Sequence, residues 1–215
     1  MGGDGPALRA GDPGAGLPHD GLMDVMEIGA GYALSRIAEE VSETLDHVVR
    51  DEPLRLTRVA DLVADSPRVF VLGAGRSGLA LRMCAMRLMH LGLSVHVVGD
   101  VTTPAVGSGD LLLVASGSGS TGGIVRAATA AAAAGARIAA ITTDPESPLA
   151  ALPGGATIIV PAAGKLDRSG AVSFQYAGSL FEQSVLLVGD ALFHGLWRRS
   201  RQDAETLWAR HANLE

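Results

Sequence analysis

The stretch DLLLVASGSGSTGGIVRAATAAAAA, residues 110–134, decides how the rest of the chain is read. It opens on Leu111–Ala115, an unbroken apolar run of the kind a strand needs when both of its faces are buried. It closes on Thr121–Ala134, an alanine-rich segment of helical length. Between them lie Ser116, Gly117, Ser118, Gly119, Ser120 and Thr121. Four hydroxyls and two glycines at a strand-to-helix turn put O–H donors, exposed N–H groups and a helix N-terminus in one place. That is the donor set a phosphomonoester dianion requires. The bland alternative is that these residues only cap the helix, but a cap uses one or two hydroxyls rather than four.

The same rhythm recurs on either side. Arg68–Leu72, Val95–Val98, Ile138–Thr142 and Thr157–Val160 are short, apolar and rich in β-branched residues, and they read as strands. Helical segments are expected at Ser77–Leu91 and Thr121–Ala134, with a short one near Ser147–Leu152. The pattern predicts an α/β, three-layer sandwich: a five-stranded parallel sheet flanked by helices. Residues 1–21 are rich in Gly, Pro, Asp and Ala without a period, and are expected to be a disordered N-terminal extension. Residues 22–215 are read as one domain. It begins with a long helix from Leu22 to about Arg50 and a second after Pro53. It ends with a long helix, Ser179–Arg198, and a short one near Asp203.

Composition narrows the possible partners. With 47% hydrophobic and 19% charged residues the chain can bury a sizeable core, and with 4% aromatics that core is aliphatic. A net charge of -6 argues against a broad nucleic-acid surface. Apolar runs of strand or short-helix length argue against a membrane span, and no secretory signal is expected. A lone cysteine, Cys84, fits a reducing, cytoplasmic setting and a buried thiol. One lysine, Lys165, stands against sixteen arginines, which reads as compositional bias.

A second glycine-rich turn, GAGRSG at 73–78, fits G-x-G-x-x-G, and Asp100 lies beyond the next strand where a ribose-binding acid is sought. A dinucleotide site is therefore a rival reading. The serine turn weighs against it, because a dinucleotide enzyme needs one such loop and a substrate domain for which this chain has no room. No cluster of His, Cys and Asp has metal-ligand spacing, so neither metal nor cofactor is expected.

The strand, the serine turn and the alanine-rich helix resemble the phosphate site of SIS (sugar isomerase) domains. The stretches GAGRSG (73–78), AMRLMHLG (85–92), TTP (102–104), DLLLVASGSGST (110–121), SPLA (147–150), SLFEQ (179–183) and RHANLE (210–215) resemble the 6-phospho-3-hexuloisomerase family. The resemblance runs from about Met23 to Glu215. It implies interconversion of D-arabino-3-hexulose 6-phosphate and D-fructose 6-phosphate, a step tied to hexulose-phosphate synthase in formaldehyde fixation by the ribulose monophosphate pathway. It also implies a homotetramer. Two positions depart from the family pattern: Ser120, often a long polar residue there, and Tyr176, often Pro.

The candidate site residues follow. Ser116, Gly117, Ser118, Gly119, Ser120 and Thr121 are expected to bind substrate. Ser77 either joins them or caps its helix. Glu182 matches the glutamate of SLFEQ and is the candidate base, although Ser179-x-x-Glu182 also fits a capping box. His90 and His211 are the candidate histidines. His90 at a helix end also suits a dipole-stabilising imidazolium, and His211 also suits a solvated tail or a neighbouring subunit's site. His194 is expected in core or interface, and Arg76 at the phosphate or in solvent.

Overall fold

A computed structural model describes residues 29–167 and 169–214. The expected N-terminal extension, and the start of the first helix at 22–28, lie outside the described residues, as do residues 168 and 215. Helix α1 is Ala30–Asp51 and α2 is Pro53–Ala64, with proline in the first turn where its missing N–H costs nothing. There follow β1 (Val69–Gly73), α3 (Gly75–His90), β2 (Val95–Val97), β3 (Leu111–Ala115), α4 (Gly122–Ala133), β4 (Arg137–Thr142) and β5 (Ala156–Ile159). Two helices close the chain, α5 (Ser179–Ser200) and α6 (Ala204–Trp208), the latter capped by Asp203 accepting from the Thr206 N–H at 2.8 Å.

The sheet is five-stranded and its pairs are all parallel, in the order β2-β1-β3-β4-β5. Alternation along the central strands sorts their side chains into two cores. Val69, Val71, Leu111 and Leu113 face one side, where they meet Val59 and Leu62 of α2, Leu81 and Leu88 of α3, and Val185 and Leu192 of α5. Phe70, Leu112 and Val114 face the other, against Ile124 and Ala128 of α4 and Leu149. The expected three layers are therefore present.

The register of α3 against α5 positions the site. Arg76 meets Glu182 near their first turns, and eight residues further along α3 the Cys84 Sγ lies 3.9 Å from the Gly189 carbonyl. The two helices thus run parallel and bring their N-termini to the same edge of the sheet. Cys84 is fully buried, and burial pushes its thiol up to about 12, so it is the inert core cysteine the sequence suggests.

One expected element is absent. Residues 147–152 form turns rather than a short helix. Pro148 interrupts the segment, and the Leu149 N–H donates across to the Gly119 carbonyl at 3.1 Å instead of to a helical partner.

Candidate active site

The glycine-rich and serine-rich turns leave β1 and β3, neighbours at the centre of the sheet, and together line a cavity of about 340 Å³. Gly75, Arg76 and Ser77 contribute from the start of α3. Ser116, Gly117, Ser118 and Thr121 contribute from the turn before α4, and Ser179, Phe181 and Glu182 from the start of α5. Three helix N-termini therefore converge on one cavity. Their dipoles favour an anion there, which resolves how a chain with a net charge of -6 can hold one.

The serine turn is braced so that it offers donors. The Gly117 carbonyl accepts from Thr142 Oγ1 at 3.0 Å, Thr143 Oγ1 at 2.9 Å and the Thr143 N–H at 2.9 Å. The Gly119 N–H donates to Ser116 O at 2.9 Å, while the Gly119 carbonyl accepts from Leu149. With those carbonyls occupied, few acceptors remain to repel a phosphate. Ser116 Oγ and Thr121 Oγ1 lie 3.0 Å apart. Thr121 stands at the N-cap of α4 without a capping hydrogen bond, so its hydroxyl serves the turn and the cavity.

Not every residue of the turn faces inward. Gly119 and Ser120 do not line the cavity. Gly119 holds the turn at φ +56 against Ser147, and Ser120 is exposed with its N–H on Ser118 Oγ at 3.3 Å.

Ser77 lines the cavity as the third residue of α3, and it is not the cap: Ala74 holds that position. The glycines of the G-x-G-x-x-G turn have a packing explanation. A Cβ on Gly73 would lie 2.8 Å from Gly78 Cα, and one on Gly78 would overlap the Gly73 carbonyl. They allow α3 to start directly on β1. Asp100 pairs with Arg82 at 3.0 Å.

Glu182 does not form the capping box. Gly178 is the N-cap of α5 and makes no side-chain cap; the Glu182 carboxylate instead lies 2.9 Å from Arg76 Nε. Its side chain is 22% exposed, against 62% for Arg76. Arg76 is thus not on its own in solvent: it lines the cavity and pairs through Nε with Glu182. The segment before α5 is held by Glu40, whose carboxylate accepts from the Ser173 hydroxyl, the Phe174 N–H and the Gln175 side-chain amide. Next to these, Tyr176 and Ala177 line the cavity, Ala177 in the left-handed region at φ +52. Sequence reading missed Glu40, Lys165 and Phe181. Lys165 had a visible signal, since no other lysine occurs in the chain.

The two histidines lie elsewhere in the chain. His90 and His211 stack with centroids 4.0 Å apart in a second cavity of about 190 Å³, with Arg87, Phe193, Trp197 and Trp208 around them. That is about 20 Å from the first cavity along α3. His90 is buried, and burial followed by the charges of His211 and Arg87 pushes its pKa down. Burial thus works against the dipole-stabilising imidazolium expected there, and Arg210 supplies a cation at that helix end, donating to the His90 carbonyl at 2.9 Å. His211 is not simply a solvated tail residue. His194 is exposed, its ring edge-on to Trp197 at 5.8 Å, and so is not in the core of the chain.

The SIS domain model matches residues 62–180, which carry both turns. A 3-hexulose-6-phosphate isomerase of Mycobacterium gastri is 54% identical over 196 residues, 91% of this chain and 96% of that protein. This chain is a SIS-domain protein of the 3-hexulose-6-phosphate isomerase family. A 3-hexulose-6-phosphate isomerase of Bacillus subtilis is 37% identical over 185 residues, covering 85% of this chain and 97% of its own. A crystal structure of a Methanococcus jannaschii protein, from which a 3-hexulose-6-phosphate isomerase function was inferred, superposes with a TM-score of 0.69 at 27% identity. It covers 86% of this SIS-domain chain and 99% of its own.

Proposed function

We propose that the chain interconverts D-arabino-3-hexulose 6-phosphate and D-fructose 6-phosphate, the 6-phospho-3-hexuloisomerase reaction. The observation that carries this is the cavity: a braced serine turn, three helix N-termini and one carboxylate meet there, in a chain 54% identical to an enzyme of that name. The phosphate is assigned to Ser116, Gly117, Ser118 and Thr121, with Ser77 at the sugar chain. A 3-ketose with O6 phosphorylated cannot close an ordinary furanose ring, so it arrives open-chain.

The Glu182 carboxylate removes the proton on C2. The C2–H electron pair forms the C2=C3 bond while the C3 carbonyl oxygen gains a proton, giving a cis-enediol. The carboxylic acid then returns its proton to C3, and the C2 hydroxyl loses its own as the C2 carbonyl forms. Oxidation at C2 matches reduction at C3, so the chemistry calls for no external oxidant. The test is incubation with D-fructose 6-phosphate, coupled to hexulose-phosphate synthase to read 3-hexulose formation. Phosphate binding without turnover would instead make the chain a sugar-phosphate sensor.

The same reading takes the chain as a cytoplasmic homotetramer working beside that synthase. Supporting an assembly, Leu79, Met83 and Met86 leave an exposed apolar line on α3 that starts two residues past Ser77 of the cavity. His90 and His211 enter the reaction, on this reading, only at the site of a neighbouring copy. Light scattering at micromolar concentration checks the assembly, and a monomer there would end that part of the proposal.

A further inference from the structure

We infer that Lys165 is the cation that neutralises the substrate's phosphate, an assignment resting on the proposed sugar-phosphate reading of the cavity. Among the described residues, three charged side chains line that cavity: Arg76, Lys165 and Glu182. Arg76 pairs through Nε with Glu182 at 2.9 Å, so those two charges offset each other. Without Lys165 the described lining would carry no net positive charge toward a dianion, since Arg76 and Glu182 offset each other. Among the described residues, no hydrogen bond or ion pair ties Lys165 down. Its nearest acid in sequence, Asp167, is held by the Ser169 N–H at 2.9 Å and the Ser169 hydroxyl at 2.6 Å.

The placement fits the role. Lys165 sits in the connection from β5 to α5, nineteen residues long (160–178), whose described residues form no helix or strand and whose two ends both line the cavity through Ala163 and through Tyr176, Ala177 and Gly178. Connections of that length in a compact domain usually carry function. The ammonium is a point charge on a flexible stem, suited to follow a phosphate that main-chain amides already orient. It also changes how the lone lysine is read: a chain that otherwise uses arginine throughout places its one lysine at this cavity.

The experiment compares Lys165→Ala and Lys165→Arg with the unaltered protein in fructose 6-phosphate turnover and in a titration with inorganic phosphate followed by phosphorus NMR. Lys165→Ala should raise KM and weaken phosphate binding by a common factor of about ten, a charge-assisted hydrogen bond's worth, with kcat within about threefold. Lys165→Arg should recover most of both. Unchanged KM and phosphate affinity in Lys165→Ala would overturn the assignment, as would a fall in kcat alone, which would move Lys165 to the reacting carbons. The two readings fail separately. An unaltered protein that binds phosphate without isomerising sinks the reaction, while the phosphate titration still decides Lys165. No phosphate binding by the unaltered protein sinks both.

Discussion

Replacing Glu182 with glutamine should abolish isomerisation, lowering kcat by about 10²–10⁴-fold, while leaving the fold and the affinity for inorganic phosphate intact. The range is what one positioned general base contributes. Glutamine keeps the size and shape of the side chain. It also keeps an oxygen that Arg76 Nε, now 2.9 Å from the carboxylate, can still reach. What it loses is the basicity of a carboxylate, without which no proton is taken from carbon. The glutamate makes no cap, since Gly178 stands at the start of α5 without a side-chain bond, so the helix has no reason to fray in the variant. A merely structural role would show as a lowered melting temperature and weakened phosphate binding. The sharper readout is isotopic: the unaltered protein should wash solvent deuterium into C3 of fructose 6-phosphate, and the variant should not. Turnover within about threefold of the unaltered protein, or deuterium entering at the same rate, would remove Glu182 from the chemistry.

That carboxylate shows where a linear sequence stops informing. The strands were legible because a parallel strand buried on both faces is an uninterrupted aliphatic run, and Leu111–Ala115 is read to the residue. Helices α3, α4 and α5 were legible within two residues at each end, having glycine or serine turns before them and apolar periods within. The strand order and the parallel register of α3 on α5 were not, because these depend on packing between distant segments. The pairing of Arg76 with Glu182 joins such segments, so the local capping-box pattern at Ser179 and Glu182, the alternative reading there, is not what forms. The expected helix near 147–152 failed for a related reason. Its backbone is used to brace the serine turn, and local propensity does not register a donor taken by Gly119. Within the site, Ser77, Ser116, Ser118, Thr121 and Glu182 do meet in one cavity, whereas His90 and His211 meet each other elsewhere.

That brace makes Gly119 the position where a single methyl group should do most harm. Its φ of +56 lies in the left-handed region, which costs an L-residue about 1–2 kcal/mol. A Cβ there would also overlap the Cβ and Oγ of Ser147 and come within 2.9 Å of Thr142 Oγ1. Neither neighbour can yield easily. Thr142 is 0% and Ser147 1% exposed, and Thr142 Oγ1 holds the Gly117 carbonyl at 3.0 Å. Forcing extra volume into such packing costs about 1–3 kcal/mol more. Gly119→Ala should therefore lose about 2–5 kcal/mol in urea unfolding, the sum of those two ranges. Because the turn must shift to accommodate it, KM for fructose 6-phosphate should also rise at least about tenfold. The double variant Gly119→Ala/Ser147→Gly separates the contributions, since it removes the two Ser147 atoms and leaves the backbone strain and the 2.9 Å approach to Thr142 Oγ1. It should regain most of the steric part and stay at least about 1–2 kcal/mol below the unaltered protein. Gly117→Ala is the control on the same turn, its added Cβ meeting Phe181 Cδ1 at an ordinary 3.4 Å, and it should cost far less. A Gly119→Ala protein as stable as the unaltered one, with KM unmoved, would mean that the turn is not held against Ser147 and that its donors are not fixed by that contact.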